Sequence, residues 1–101
     1  MKRLIHLKNS SVKRILQRTK RFGRDVKKLP SDVQKEAYQV VLLLAGNVFH
    51  PELNIRELTG FKGSYRVVVL KDYRMIFSFD NSNVYLLRIA HRKDIYRKLE
   101  L

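Results

Sequence analysis

The hydrophobic rhythm of this chain changes at Pro51, and that change limits the folds open to it. Before Pro51 apolar residues recur with a helical period; after it they alternate with period two. Phe22, Val26 and Leu29 stand at i, i+4 and i+7, one face of a short amphipathic helix. Its other face carries Lys20, Arg21, Arg24, Lys27 and Lys28. Thr19 is placed to cap that helix, and Pro30, which has no N–H, ends it. Ser31-Asp32-Val33-Gln34 has capping-box spacing and opens a second helix to about Ala45. Its inward face is Val33, Ala37, Val40, Val41 and Leu44, and Gly46-Asn47 supplies the stop. Leu42 and Leu43 widen the apolar stripe beyond one face, as core or as a docking surface. The tight Pro-Ser turn makes the two helices a hairpin.

Downstream, Ile55 to Leu58 reads as a short strand. Tyr65, Val67 and Val69 alternate with Arg66, Val68 and Leu70; Tyr73, Met75, Phe77 and Phe79 alternate with Arg74, Ile76 and Ser78. With Lys71-Asp72 as a two-residue hairpin loop, position 70 pairs with 73, 66 with 77, and Arg74 lies opposite 69. Asp80-Asn81-Ser82-Asn83 is a turn, and Val84 to Ala90 is the last strand. Residues 91–101 are polar and read as helix, with Ile95 and Leu99 one turn apart. Upstream, Val12 to Arg18 reads as a first strand centred on Ile15 and Leu16, although Val12, Ile15, Leu16 and Thr19 also fit a helical period. The expected fold is α+β: an N-terminal strand, a two-helix hairpin, then a three- to four-stranded antiparallel-rich sheet and a short C-terminal helix. One sheet face packs the helices and the other is expected to be open. The 101 residues suit a single domain. Residues 1–11 form a possible N-terminal extension, in which Leu4, Ile5 and Leu7 make a short strand or an ordered arm.

Charge narrows the function. There are 22 Lys and Arg against 9 Asp and Glu, a net charge of +13. That excess on so small a domain predicts a polyanionic partner, nucleic acid first and an acidic protein second. Anionic membrane fits less well, because the basic residues are spread along the chain. The chain has no cysteine, which excludes disulfides, thiolate metal sites and a cysteine nucleophile. Three widely spaced histidines do not match a zinc pattern, and no cofactor is expected. No apolar run approaches the ~20 residues that cross a bilayer. Lys2 and Arg3 are not followed by an apolar signal region, so the cytoplasm is the expected compartment.

The residues that can carry chemistry converge on two segments. Arg66 and Arg74 each follow a tyrosine inside an apolar β run, and either alone reads as a side chain snorkelling to solvent. With Arg88, His91, Arg92, Lys93 and Tyr96 arriving at the end of the adjacent strand, a shared phosphate site is the better account. Arginine holds phosphate by two parallel hydrogen bonds and stabilises charge that builds on it. Histidine exchanges protons near neutral pH, and tyrosine stacks a base or orients a hydroxyl. These parts suffice for RNA cleavage by the neighbouring 2′-hydroxyl without a metal. The expected catalytic group is Arg66, Arg74, His91, Arg92 and Tyr96; Lys62, Lys71, Arg88, Lys93 and Arg97 are expected to contact RNA. His6 and His50 have no comparable company.

From Val12 onward the chain resembles the RelE/ParE toxin superfamily. The resemblance rests on TKRFGRDVKKLPSDVQKEA, then ELTGFKGSYRVVVLKDYRMIFSFD, then VYLLRIAHRKDIYR, in that order. Leu58-x-Gly60, Tyr65-Arg66-Val67, Asp72-Tyr73-Arg74-Met75-Ile76 and the ending from His91 to Tyr96 look like its RelE-type branch. The resemblance implies the toxin of a type II toxin–antitoxin system. RelE-like members cut messenger RNA in the ribosomal A site; ParE-like members poison DNA gyrase and lack the basic cleavage residues. By position it implies a basic strand residue at Arg66, a transition-state arginine at Arg74, a second phosphate-binding arginine at Arg92 and a nucleotide-orienting tyrosine at Tyr96. His91 sits where related branches place an acid–base histidine. A second strand lysine, expected two residues after Arg66, is here Val68, which shifts proton chemistry toward His91. The implied partners are a cognate antitoxin, whose acidic amphipathic segment wraps the basic surface, and messenger RNA on the ribosome. A gyrase inhibitor and a non-catalytic nucleic-acid-binding module of the same fold are the competing readings.

Overall fold

The computed structural model describes residues 13–97 and 99. The expected extension at 1–11, Val12 at the head of the first strand, and positions 98, 100 and 101 of the expected C-terminal helix lie outside the described residues. The described elements are β1 (Ile15–Arg18), α1 (Lys20–Lys27), α2 (Ser31–Gly46), β2 (Ile55–Glu57), β3 (Tyr65–Val69), β4 (Tyr73–Phe79), β5 (Asn83–His91) and α3 (Arg92–Ile95). The strands form one sheet in the order β1-β5-β4-β3-β2. β1 runs parallel to β5, and every other pairing is antiparallel. Of the expected strand Val12–Arg18, Ile15–Arg18 is strand, and Lys13 and Arg14 are described but lie outside it.

Both helices start close to where the sequence puts them, by different means. The Thr19 hydroxyl accepts from the Phe22 N–H at 3.0 Å and caps α1 as expected. The capping box at Ser31 does not form. Pro30 occupies the cap position of α2 with no side-chain cap bond, and Ser31 is already helical. The Gln34 amide instead donates to the Val26 carbonyl at 2.7 Å, which ties the start of α2 to the end of α1. Val33, Ala37, Val40, Val41 and Leu44 are buried as expected, Leu44 completely; Leu42 and Leu43 remain partly exposed.

The β3–β4 hairpin corrects the expected register by one residue. Tyr73 pairs with Val69, so residues 70–72 form a three-residue loop. Leu70 and Lys71 take left-handed φ of 43° and 61°. Burial accounts for the shift. The observed register sets Val67 opposite Met75 and Tyr65 opposite Phe77, apolar against apolar. A two-residue loop would place Arg66 on the same face as Phe77, which is fully buried. A slip of one residue reverses the facing of a whole strand, and the core tolerates only one of the two.

Val67, Val69, Met75, Phe77, Val84 and Ile89 pack against Phe22, Val40 and Leu44 on the helix-covered face. The opposite face is not left open. Ile76 is fully buried there with Ile95 of α3 and Leu58, flanked by Leu87, Ala90 and Leu99. α3 is only one turn long, with Tyr96 at its C-cap donating its N–H to the Asp94 carbonyl. That turn suffices to bring Ile95 onto the sheet.

Candidate nucleic-acid interface

Cross-strand partners share a sheet face, and the observed pairing gathers arginines on the face that α3 partly covers. Arg56 lies opposite Arg66, Arg66 opposite Ile76, and Arg74 opposite Val68. Three guanidiniums thus run across β2, β3 and β4, with Arg66 and Arg74 as diagonal neighbours. One nitrogen of Arg66 donates to the Asn54 carbonyl at 3.3 Å. One of Arg74 donates to the carbonyls of Lys71 at 2.8 Å and Tyr73 at 3.0 Å. A guanidinium has five donors, so these contacts fix each head while leaving donors for an anion.

Electrostatics mark Arg66 as the centre of the group. Partial burial lowers its pKa from the ordinary arginine value; the Tyr96 phenol opposes this, and the charges of Arg74 and Arg56 add to the lowering. Like charges held this close are costly in isolation and are relieved by a polyanion. Tyr96 follows α3 directly and is half-exposed. Val68, half-buried, leaves an apolar gap between Arg66 and Arg74.

Arg92 is held from the hairpin loop. Its backbone N–H donates to the Asp72 carbonyl at 2.8 Å, and its Nε lies 3.5 Å from the Asp72 carboxylate. His91 does not join the arginines. It pairs with Tyr73, on the helix-covered face, and its ring packs edge-on against the tyrosine at 5.3 Å. Its Nδ1 accepts from the Lys93 N–H at 3.1 Å and caps α3. A nitrogen that accepts carries no proton, so neutral His91 is held as the Nε2–H tautomer.

The remaining expected contacts divide. Lys62, Lys71 and Lys93 are exposed. Arg97 is exposed and pairs with Asp94 at 2.7 Å. Arg88 sits where the β4–β5 register slips between Ile76 and Phe77. Its head is largely buried in a two-pronged pair with Asp25 of α1, at 2.8 and 3.2 Å. The same carboxylate accepts from the Ile89 N–H at 3.1 Å, so this cluster fastens α1 to β5. Sequence reasoning missed Arg56, Asp72 and Asp25. Arg56 was findable as the one basic residue in the short Ile55–Glu57 strand; Asp72 and Asp25 act through partners far away in sequence.

Among the described residues, no cluster of His, Asp and Glu is placed to hold a metal ion, and no helix is long and apolar enough to cross a membrane.

The family described as the ParE toxin of the type II toxin–antitoxin system parDE matches residues 16–96. The chain belongs to this family of toxins. No curated protein matches the sequence. The toxin's fold is that of RelE-type structures. It matches a chain of the RelB–RelE antitoxin–toxin complex from Methanococcus jannaschii with a TM-score of 0.68 at 23% identity, covering 83% of the toxin and 99% of that chain. It matches a chain of the E. coli DinJ–YafQ toxin–antitoxin complex with a TM-score of 0.67 at 17% identity, covering 84% and 99%. The YoeB dimer from Staphylococcus aureus gives 0.69 at 10% identity, covering 79% and 98%. At these identities the likeness is one of fold, and the toxin's own side chains must carry the argument for activity.

Proposed function

We propose that this toxin is a metal-independent endoribonuclease that cuts messenger RNA on the ribosome, acts in the cytoplasm and is neutralised by a cognate antitoxin. The observation that carries the reading is the row of Arg56, Arg66 and Arg74 on one sheet face. In the reaction the 2′-oxygen forms a bond to phosphorus and the bond to the 5′-oxygen breaks, giving a 2′,3′-cyclic phosphate and a 5′-hydroxyl. The proton lost by the 2′-hydroxyl is matched by one gained at the leaving 5′-oxygen. Charge rises on the phosphoryl oxygens between these events, and preorganised guanidiniums are the groups suited to meet it. Arg56 supplies a third cation where Val68 stands in place of a strand lysine. Arg92, held by Asp72, extends the positive surface toward the hairpin loop. His91 serves through α3, whose start it caps. The antitoxin that neutralises a surface with this net positive charge is expected to be acidic.

Primer extension on messenger RNA from cells expressing the toxin tests the reading. Discrete cuts within translated codons, absent from the Arg74→Ala variant, are the expected result. A second reading, inhibition of DNA gyrase, is favoured by the ParE description of the matching family. Intact messages together with gyrase-linked DNA breaks would select it.

A further inference from the structure

α1 presents a face of one charge sign on the side of the sheet away from the arginine row. Phe22 sinks into the helix-side core, and the exposed face carries Lys20, Arg21, Arg24 and Lys27, with Arg18 just before the helix and Lys28 at its C-cap. The one acid of α1, Asp25, is turned inward to Arg88 at 2.8 Å.

Three local features of α1 work against the helix on its own. Lys20 and Arg21 occupy the first turn, which holds no acid, although the helix dipole favours negative charge there. Lys20, Arg24 and Lys27 stand at i, i+4 and i+7, a spacing at which like charges repel. Gly23 sits in the helix interior, where alanine is the more favourable residue. A Cβ at Gly23 would come within 3.2 Å of an Arg18 guanidinium nitrogen, so the glycine leaves room for Arg18 to lie along the helix. Each feature is costly alone and becomes favourable once a polyanion lies on the face. Departures of this kind from local preference mark functional surfaces.

We infer that the exposed face of α1 docks the phosphate backbone of double-stranded RNA, while the arginine row takes the single strand. None of the exposed large apolar residues lies on α1. An amphipathic protein segment needs apolar anchors, and a single strand needs aromatic rings on which to stack its bases. A duplex hides its bases and offers phosphates and ribose hydroxyls, which cations alone can hold. The choice of RNA over DNA rests on the endonuclease reading; the attraction to a duplex backbone rests on charge and exposure alone.

The test is titration of the full chain with a sixteen-base-pair RNA duplex, a DNA duplex of the same sequence and a single-stranded uridine dodecamer, read by fluorescence anisotropy over a range of salt. Two triple variants lower the net charge of +13 by the same amount. One carries Lys20→Gln, Arg24→Gln and Lys27→Gln on α1. The other carries Lys62→Gln, Lys71→Gln and Lys93→Gln, all at exposed positions outside α1. Glutamine has nearly the helix propensity of lysine and arginine, so α1 persists in the first variant. That variant is expected to bind the RNA duplex roughly tenfold or more weakly, with a salt slope flatter by about 2–3, close to one phosphate per cation. Its affinity for the uridine strand is expected to stay near that of the parent. The second variant is expected to show the reverse. Equal losses in the two variants would mean that net charge alone binds RNA, and would overturn the inference. So would tighter binding of the DNA duplex than of the RNA duplex by the parent chain. An α1 variant that keeps its duplex affinity but loses affinity for polyglutamate would overturn it too, and would give the face to an acidic protein. The titration involves no cleavage. A chain that binds the duplex through α1 but cuts no translated message loses the endonuclease reading and keeps the docking face. A chain that cuts message while its α1 variant binds the duplex as the parent does keeps the enzyme and loses the face.

Discussion

Asp72 grips Arg92 twice, through its backbone carbonyl at 2.8 Å and through its carboxylate at 3.5 Å from Nε. The ionic part is about half-exposed, and pairs of that kind contribute ~0–1 kcal/mol. Its value is therefore in aiming the guanidinium. Asp72→Asn keeps the backbone bond and is expected to leave thermal stability nearly unchanged while slowing RNA cleavage. Equal cleavage rates in parent and variant would remove Asp72 from the site.

Arg74→Ala is expected to remain folded and to lose cleavage by ~10²–10³, the usual cost of one preorganised donor facing transition-state charge. Arg66→Ala should behave similarly. Circular dichroism and single-turnover cleavage of ribosome-bound message decide the matter. A folded Arg74→Ala that cuts at the parent rate would end the proposed mechanism.

His91 offers a contrast between capping and proton transfer. Asparagine is a strong N-cap and has no useful pKa. If the histidine acts through α3, His91→Asn retains most of the cleavage rate and His91→Ala does not. If it transfers protons, both variants lose activity alike and the rising limb of the pH–rate profile changes.

The Asp25–Arg88 pair is a stability element. Both side chains are largely buried, and Asp25 also receives the Ile89 N–H. Removing Asp25 takes both prongs from the Arg88 guanidinium and the acceptor from the Ile89 N–H, and breaking a buried pair of this kind costs ~3–5 kcal/mol. Urea unfolding of Asp25→Ala should show a loss of that order. A change below ~0.5 kcal/mol, typical of surface substitutions, would mean that solvent replaces the pair.

Asp80 supplies an acid-sensitive turn. The Tyr85 hydroxyl, at 2.7 Å, is the main cause lowering its pKa from 3.8 to about 2, followed by the Ser82 N–H. The folded value lies below the ordinary one, so the stabilisation is fully present above pH 3.8 and disappears as pH falls through about 2. Asp80→Asn should remove this part of the acid dependence, visible as a smaller change in midpoint between pH 5 and pH 2. An unchanged acid profile would show that the turn bonds persist without the charge.

The sequence by itself determined the fold class, the inward face of α2 and the net positive charge. Each follows from a local property: a repeat of 3.6 or of two, a proline at a helix end, an excess of one charge. Tertiary structure decided the composition of the candidate site. The facing of Arg66 and Arg74 turned on one loop residue, and the buried pairings of Val67 with Met75 and Tyr65 with Phe77 fixed it, because the packed helix-covered face has no room for a guanidinium. Arg56 entered through its pairing with Arg66 across β2 and β3. His91, adjacent to Arg92 in the chain, ends β5 opposite Tyr73 on the helix-covered face, while Arg92 opens α3 and is held by Asp72. Arg88, which the sequence grouped with the RNA contacts, found Asp25 across 63 positions. Such partnerships depend on which elements the hydrophobic core brings together, and the charges themselves carry no record of that.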